Sequence, residues 1–186
     1  MGFAIVILIV VVVAVLLLAG TYNRLVGLRQ RANQAFADID VQLQQRHDLI
    51  PNLVETVKGY AAHEGGTLEA VTAARAAAST AGSVEDKVKA ENVLTGALRQ
   101  LFAVAEAYPD LKANQNFLRL QDELGDVENK LAAARRFFNS AVGEYNAAIQ
   151  QFPAVLIAGA MGFAERTFFD VGEGRAAVSA APEVKF

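Results

Sequence analysis

GFAIVILIVVVVAVLLLAGTYNRLVGLRQR, residues 2–31, decides how the rest of the chain is read. From Phe3 to Ala19 every side chain is apolar, and no charged side chain appears before Arg24. A helix of about 20 such residues crosses a hydrocarbon core of about 30 Å, and it satisfies its own backbone polar groups while doing so. A cleaved signal peptide would carry a positive n-region and a small-x-small cleavage site, yet no Lys or Arg precedes the run. Leu18-Ala19-Gly20 has the form of a lipoprotein signal, but Thr21 stands where the lipid-bearing cysteine would be needed. Residues 1–22 therefore read as an uncleaved transmembrane anchor.

The flanks of the run set its orientation. Arg24, Arg29 and Arg31 follow it closely, and nothing cationic except the terminal amine precedes it. Cationic residues are retained on the cytoplasmic side, which places the N-terminus outside and residues 23 onward in the cytoplasm of a single-pass inner-membrane protein. Tyr22 falls where an interfacial aromatic belongs.

The chain has 186 residues with 20% charged and a net charge of -3. Beyond the anchor this leaves about one ordinary domain. There is no basic surplus to neutralise a phosphate backbone, so nucleic acid is not an expected partner. With no cysteine, disulfides, thiolate metal sites and a thiol nucleophile are excluded.

Working outward from the anchor, Leu25, Leu28, Ala32, Ala35, Ile39 and Leu43 recur at spacings of three and four, the period of one apolar helix face. Pro51 lacks a backbone donor and biases Ile50 away from the helical region, predicting a turn or sharp kink at Asp48–Pro51. Pro51 would then open a second helix carrying Leu53, Val57, Tyr60, Leu68, Val71, Ala74 and Ala78 across His63-Glu64-Gly65-Gly66. Ser83-Val84-Glu85-Asp86 has the form of a capping box for a third helix, with Leu94, Leu98, Leu101, Ala105 and Tyr108 on its buried face. After Tyr108-Pro109-Asp110, a fourth helix is expected from the strict series Phe117, Leu120, Leu124, Val127, Leu131, Ala134, Phe138, Ala141, Tyr145 and Ile149, ending near Phe152-Pro153.

Four amphipathic helices with short connections pack most simply as an up-down-up-down bundle. The expected fold is all-α: a transmembrane helix, 1–22, continuing into an antiparallel cytoplasmic four-helix bundle, 23–152. Residues 153–186 would form an apolar membrane-proximal segment and a loosely ordered tail. Phe152 to Phe163 has no charge but is too short to span a bilayer as a helix. Alternating chain direction returns it to the side where residue 24 began. Val155, Leu156, Ile157, Met161 and Phe163 are the candidate membrane-contact residues, with Tyr22, Arg24, Arg29 and Arg31 flanking the anchor. A lid on the bundle or a packing surface for another subunit is the alternative. Glu165–Phe169 could form an amphipathic turn, and the terminal Pro182-Glu183-Val184-Lys185-Phe186 alternates in a β-like manner.

Several runs resemble the LemA family of bacterial membrane proteins: Tyr22-Asn23-Arg24-Leu25-Val26, Ile39-Asp40-Val41-Gln42-Leu43, QRHDLIPNLVETVKGYAAHE at 45–64, and Tyr108-Pro109-Asp110-Leu111-Lys112-Ala113-Asn114. Phe138-Asn139, Tyr145-Asn146, Phe152-Pro153 and Ala181–Phe186 extend the likeness over nearly the whole chain. The resemblance implies an inner-membrane anchor and a helical bundle. Some members are encoded near a membrane zinc metalloprotease, and a magnetosome-membrane member is linked to membrane formation. It implies no catalytic residues.

No chemistry-bearing pattern was found in the residues themselves. His63-Glu64 has the start of a zincin motif, but Thr67 stands where the second histidine is required. His47, beside Arg46 and Asp48 at an expected helix end, fits cap or turn chemistry. Asp38 and Asp40, two apart, cannot share a helix face. No metal, cofactor or catalytic residue is expected. Gln42, Arg75, Asn116, Glu128 and Arg135 fall near faces where a buried polar network could fix helix register, or they are simply solvated. The expected function is a non-enzymatic membrane-anchored scaffold with the lipid bilayer and other copies of itself as partners. The alternative is an adaptor or regulator of a membrane metalloprotease or other membrane or signalling protein.

Overall fold

The computed structural model describes residues 1–61 and 63–169, and these are helical with no strand among them. The elements are α1 (Gly2–Lys58), α2 (Gly65–Thr80), α3 (Val84–Glu106), the short α4 (Pro109–Lys112) and α5 (Gln115–Gln150), followed by a 3-10 turn at Ala154–Leu156. The expected tail, including Pro182–Phe186, lies largely outside the described residues.

Two helix boundaries differ from the sequence expectation. Pro51 lies inside α1 instead of opening a second helix. A proline leaves the carbonyl four residues earlier without its helical donor, and here that carbonyl belongs to His47. The Nε–H of Arg75 on α2 donates to it at 2.7 Å, so the helix continues without a buried orphan acceptor. The real break comes after Lys58, and α2 starts at Gly65. Val57 and Leu68, eleven residues apart and both buried, lie on either side of this break, which preserved the apolar phase and disguised the interruption.

The other boundaries follow local chemistry. Ser83 caps α3, its hydroxyl oxygen accepting from the Asp86 N–H at 3.0 Å. Its hydroxyl donates to the Asp86 carboxylate at 2.7 Å, so the reciprocal bond of a full capping box is replaced by a side-chain one. Pro109 sits in the first turn of α4. Asn114 starts α5, its side-chain oxygen accepting from the N–H groups of Asn116 and Phe117. Of the ten stripe positions expected on α5, all are buried except Ala134, which is half-buried.

The chain divides into two compact units. One comprises Met1–Ile39 and Ala134–Phe168. In it Phe36 meets Phe138 with ring centroids 5.5 Å apart, Arg31 pairs with Glu144 at 2.9 Å, and Leu25 shares a buried cluster with Tyr145, Ala148 and Ile149. The other contains Asp40–Ala133. Its core gathers Ile50, Leu53 and Val57 of α1 with Val71 and Ala74 of α2, Leu94 and Leu101 of α3, Leu111 of α4, and Phe117 and Leu124 of α5.

Candidate functional site

The first unit carries the candidate membrane span. Its most hydrophobic window is long enough to cross a membrane and none of it is buried by the protein. Thr21, at the end of the run, donates its hydroxyl to the Leu17 carbonyl at 2.7 Å, the back-bonding that lets a hydroxyl sit in an apolar setting. One turn further on, the helix turns from exposed to packed. Leu25 is buried with Tyr145 and Ile149 of α5 and with Ala154, Ala158 and Phe163 of the chain that follows α5.

The candidate membrane-contact residues separate into two groups. Val155, Leu156 and Met161 are exposed, Leu156 by 71%, and Phe152 joins them at 80%. Ile157 is half-buried. Phe163, expected to face lipid, is instead 4% exposed. It lies edge-on to Tyr22 at 5.6 Å and under the Arg29 guanidinium at 4.9 Å, contacts that fasten the segment to α1. Of the flanking residues, Arg24 is exposed, Arg29 is turned onto Phe163, and Arg31 reaches both Glu144 and the Phe137 ring.

Polar contacts hold the segment from its far side. Gly162, with φ of 72°, bends the chain, a conformation that glycine adopts without steric cost. Tyr145 then donates its hydroxyl to the Ala164 carbonyl at 3.0 Å. The Asn146 amide donates to the Arg166 carbonyl and accepts from the Arg166 N–H, each at 2.9 Å. The Arg166 guanidinium reaches Asn33 at 2.7 Å. Residues 163–169 are therefore unwound against α1 and α5 instead of forming the expected amphipathic turn. Asn33, Asn146 and Arg166 escaped the sequence reading because an isolated asparagine announces no partner. Only the Tyr145-Asn146 run in the family resemblance pointed there.

The second unit holds a buried ionic cluster. Glu91 of α3, 1% exposed, receives the Arg46 guanidinium on one carboxylate oxygen and the His47 Nε2–H on the other, both at 2.7 Å. Arg46 also donates to Thr95 at 2.9 Å and pairs with Glu128 of α5 at 2.8 Å. Buried charges persist only when paired and hydrogen-bonded, and this set ties α1, α3 and α5 in one register. The legible signal was position: Ile39, Leu43, Arg46, Ile50, Leu53 and Val57 form one stripe, with an arginine in an apolar place.

Ser79, His47 and Glu91 have the residue types of a nucleophilic relay. Their geometry is that of a structural network. The Ser79 hydroxyl donates to the Arg75 carbonyl at 2.9 Å, while His47 Nδ1 is 3.3 Å away. Ser79 lies at the carboxyl end of α2, where helix carbonyls instead of amides are unpaired, so no oxyanion would be stabilised there. Glu91 is already shared with Arg46. His47 is thus an interior residue of α1, not the helix-end cap expected.

The other singled-out polar residues scatter. Gln42 is half-buried, its Oε1 without a hydrogen-bond partner among the described residues, and Asn116 is exposed. Arg135 is half-buried. Asp40 pairs with Lys87 while Asp38 is exposed. His63 is exposed, and Glu64 accepts from the Tyr108 hydroxyl at 3.4 Å. A groove of about 340 Å³ beside Arg46 is lined by Thr95, Leu98, Arg99, Phe102, Gln121, Leu124, Gly125 and Glu128.

The LemA family model matches residues 35–186. Magnetosome protein MamQ of Magnetospirillum gryphiswaldense is 25% identical over 174 residues, covering 80% of this chain and 64% of that protein. Magnetosome protein MamQ 2 of Paramagnetospirillum magneticum is 24% identical with the same coverage. Protein LemA of Metamycoplasma hominis is 27% identical over 138 residues, 72% of this chain and 61% of its own length. The chain thus spans less than two thirds of the length of these relatives.

Proposed function

Because this chain belongs to the LemA family, we propose that it is a non-enzymatic scaffold of the bacterial inner membrane, anchored by residues 1–22 and self-associating to organise the membrane or its resident proteins. The observation that carries this is the anchor itself. Its apolar side chains pack against nothing in the protein, whereas the same helix is packed from Leu25 onward. Burial is worth about 25 cal/mol per Å² of apolar surface, so such a surface favours insertion into a bilayer. Similarity to proteins named as magnetosome proteins supports a membrane-associated role.

Arg24, Arg29 and Arg31 favour a cytoplasmic location for the helical units. An antiparallel bundle is supported in the first unit by contact order: Phe36 with Phe138, Arg31 with Glu144, and Leu25 with Tyr145 and Ile149. Self-association gives partners to Val93 and Leu118, large apolar side chains left exposed.

Purification of the full chain in mild detergent, followed by cross-linking and native mass measurement, tests the reading. A homo-oligomer without a stoichiometric foreign protein is expected. A monomer bound in fixed ratio to a foreign membrane protein would overturn the scaffold in favour of an adaptor.

A further inference from the structure

The segment after α5 distributes its side chains in an unusual way. It buries Ala154 and Ala158 together with Phe163, and exposes the large apolar Phe152, Val155, Leu156 and Met161 along with Gly159 and Ala160. A lid that closes a helical core in water would do the reverse, because large apolar groups gain most from leaving water. Contiguous exposed apolar surface marks a site that something else covers.

Position identifies the covering material. Phe163 packs on Tyr22 and Arg29, and Ala154 and Ala158 pack with Leu25. The segment is therefore fastened to α1 just past Ala19, where the fully exposed apolar run ends. The segment is thus joined, through Leu25, Tyr22 and Arg29, to the stretch of α1 that directly follows the exposed apolar run, and Tyr22 has the character of an interfacial aromatic. From Phe152 to Ala164 there is no charged side chain, and the next charges, Glu165 and Arg166, are engaged with Gln150 and Asn33.

We propose that Phe152, Val155, Leu156 and Met161 insert into the bilayer interface on the side where α1 emerges, giving the protein a second, non-spanning membrane contact beside its anchor. Helix α1 is then held by a broad foot instead of a single rod, which restricts its tilt and rotation at the membrane surface. This inference rests on the anchoring reading above, and the experiment separates the two.

The chain has no tryptophan, so one indole can be placed at a time in the full-length protein. Leu16→Trp reports on the anchor, Leu156→Trp on the segment, and Phe137→Trp on an exposed apolar site further down α5; all three positions are exposed. Each variant is reconstituted in phosphatidylethanolamine and phosphatidylglycerol vesicles, with and without brominated acyl chains. Quenching by bromine is compared with quenching by aqueous acrylamide.

Bromine quenching and blue-shifted emission are expected for Leu16→Trp and Leu156→Trp, and acrylamide quenching without bromine quenching for Phe137→Trp. Anchor quenching with acrylamide-only quenching at position 156 would refute the insertion alone. Protection of position 156 from both quenchers would also refute it, assigning the surface to a second protein copy. Absence of bromine quenching at position 16 would overturn the anchoring reading itself.

Discussion

The two units treat charge and apolar surface in opposite ways. In the unit holding Asp40–Ala133, Arg46, His47 and Glu91 are buried at 2%, 4% and 1% exposure while most large aliphatic side chains fill the core, Val41, Val93 and Leu118 excepted. In the unit holding the anchor, the ion pair Arg31–Glu144 is about half exposed on both sides, and it is large apolar residues that face outward. Charge is buried where it ties helices in one register, and apolar surface is left outside along the run that is long and apolar enough to cross a membrane. The same physical penalty, leaving a group in the wrong medium, therefore acts on different side chains in the two regions.

The largest expected effect comes from removing the carboxylate that pairs with buried Arg46 and accepts from His47. Glu91→Ala leaves Arg46 and His47 without their shared acceptor, a loss of about 3–5 kcal/mol for breaking a buried pair. Urea unfolding of the detergent-solubilised protein followed by circular dichroism measures it; a loss below about 1 kcal/mol would mean that the cluster does not hold the second unit together.

Arg75→Ala comes next, at about 1–3 kcal/mol, because it strips the donor from the His47 carbonyl. Pro51→Ala supplies a helical N–H to the same carbonyl, so in a double-mutant cycle the Arg75→Ala loss is expected to shrink when Pro51 is already replaced. Independent, additive losses would show that Arg75 acts elsewhere.

In the anchor-bearing unit, Asn146→Ala removes both bonds to the Arg166 backbone, at about 1 kcal/mol for each hydrogen bond lost. Limited proteolysis should then cut between 160 and 169 faster than in the parent protein, with α5 intact. The smallest effect belongs to Glu144→Ala, which breaks only an exposed pair and is expected to cost at most about 1 kcal/mol. A Glu144→Ala loss equal to that of Glu91→Ala would erase the contrast between the units.

The sequence reading was most successful where one rule acted alone. The exposed apolar helix at the start of α1 followed from length and apolarity, and α5 from a stripe whose phase never slips between Phe117 and Ile149. The Ser83 cap followed from a four-residue pattern. Reading failed where a distant residue overrode a local rule. Pro51 looked like a break because its missing donor is local, whereas Arg75, which compensates for it, lies on another helix. The opposite error occurred between Lys58 and Gly65, where Val57 and Leu68, about three turns apart, kept the apolar phase across a true interruption.

The candidate site divided along the same line. Hydropathy picked out the stretch containing Val155, Leu156 and Met161, but could not show that Phe163 would be drawn inward by Tyr22 and Arg29. The buried cluster joins residues 44 and 45 positions apart, and the only local trace of it is a charge on an apolar stripe. Sequence periodicity shows that trace without naming the partner.

Membrane topology is the most direct test of a spanning anchor that carries the helical units on the cytoplasmic side. The chain has no cysteine, so Gly2→Cys and Ser140→Cys each introduce a single thiol, both at exposed positions. In intact spheroplasts a membrane-impermeant maleimide is expected to label Gly2→Cys, and to label Ser140→Cys only after the membrane is permeabilised. Labelling of Ser140→Cys before permeabilisation, or release of the protein from membranes by salt and alkaline washing, would contradict it.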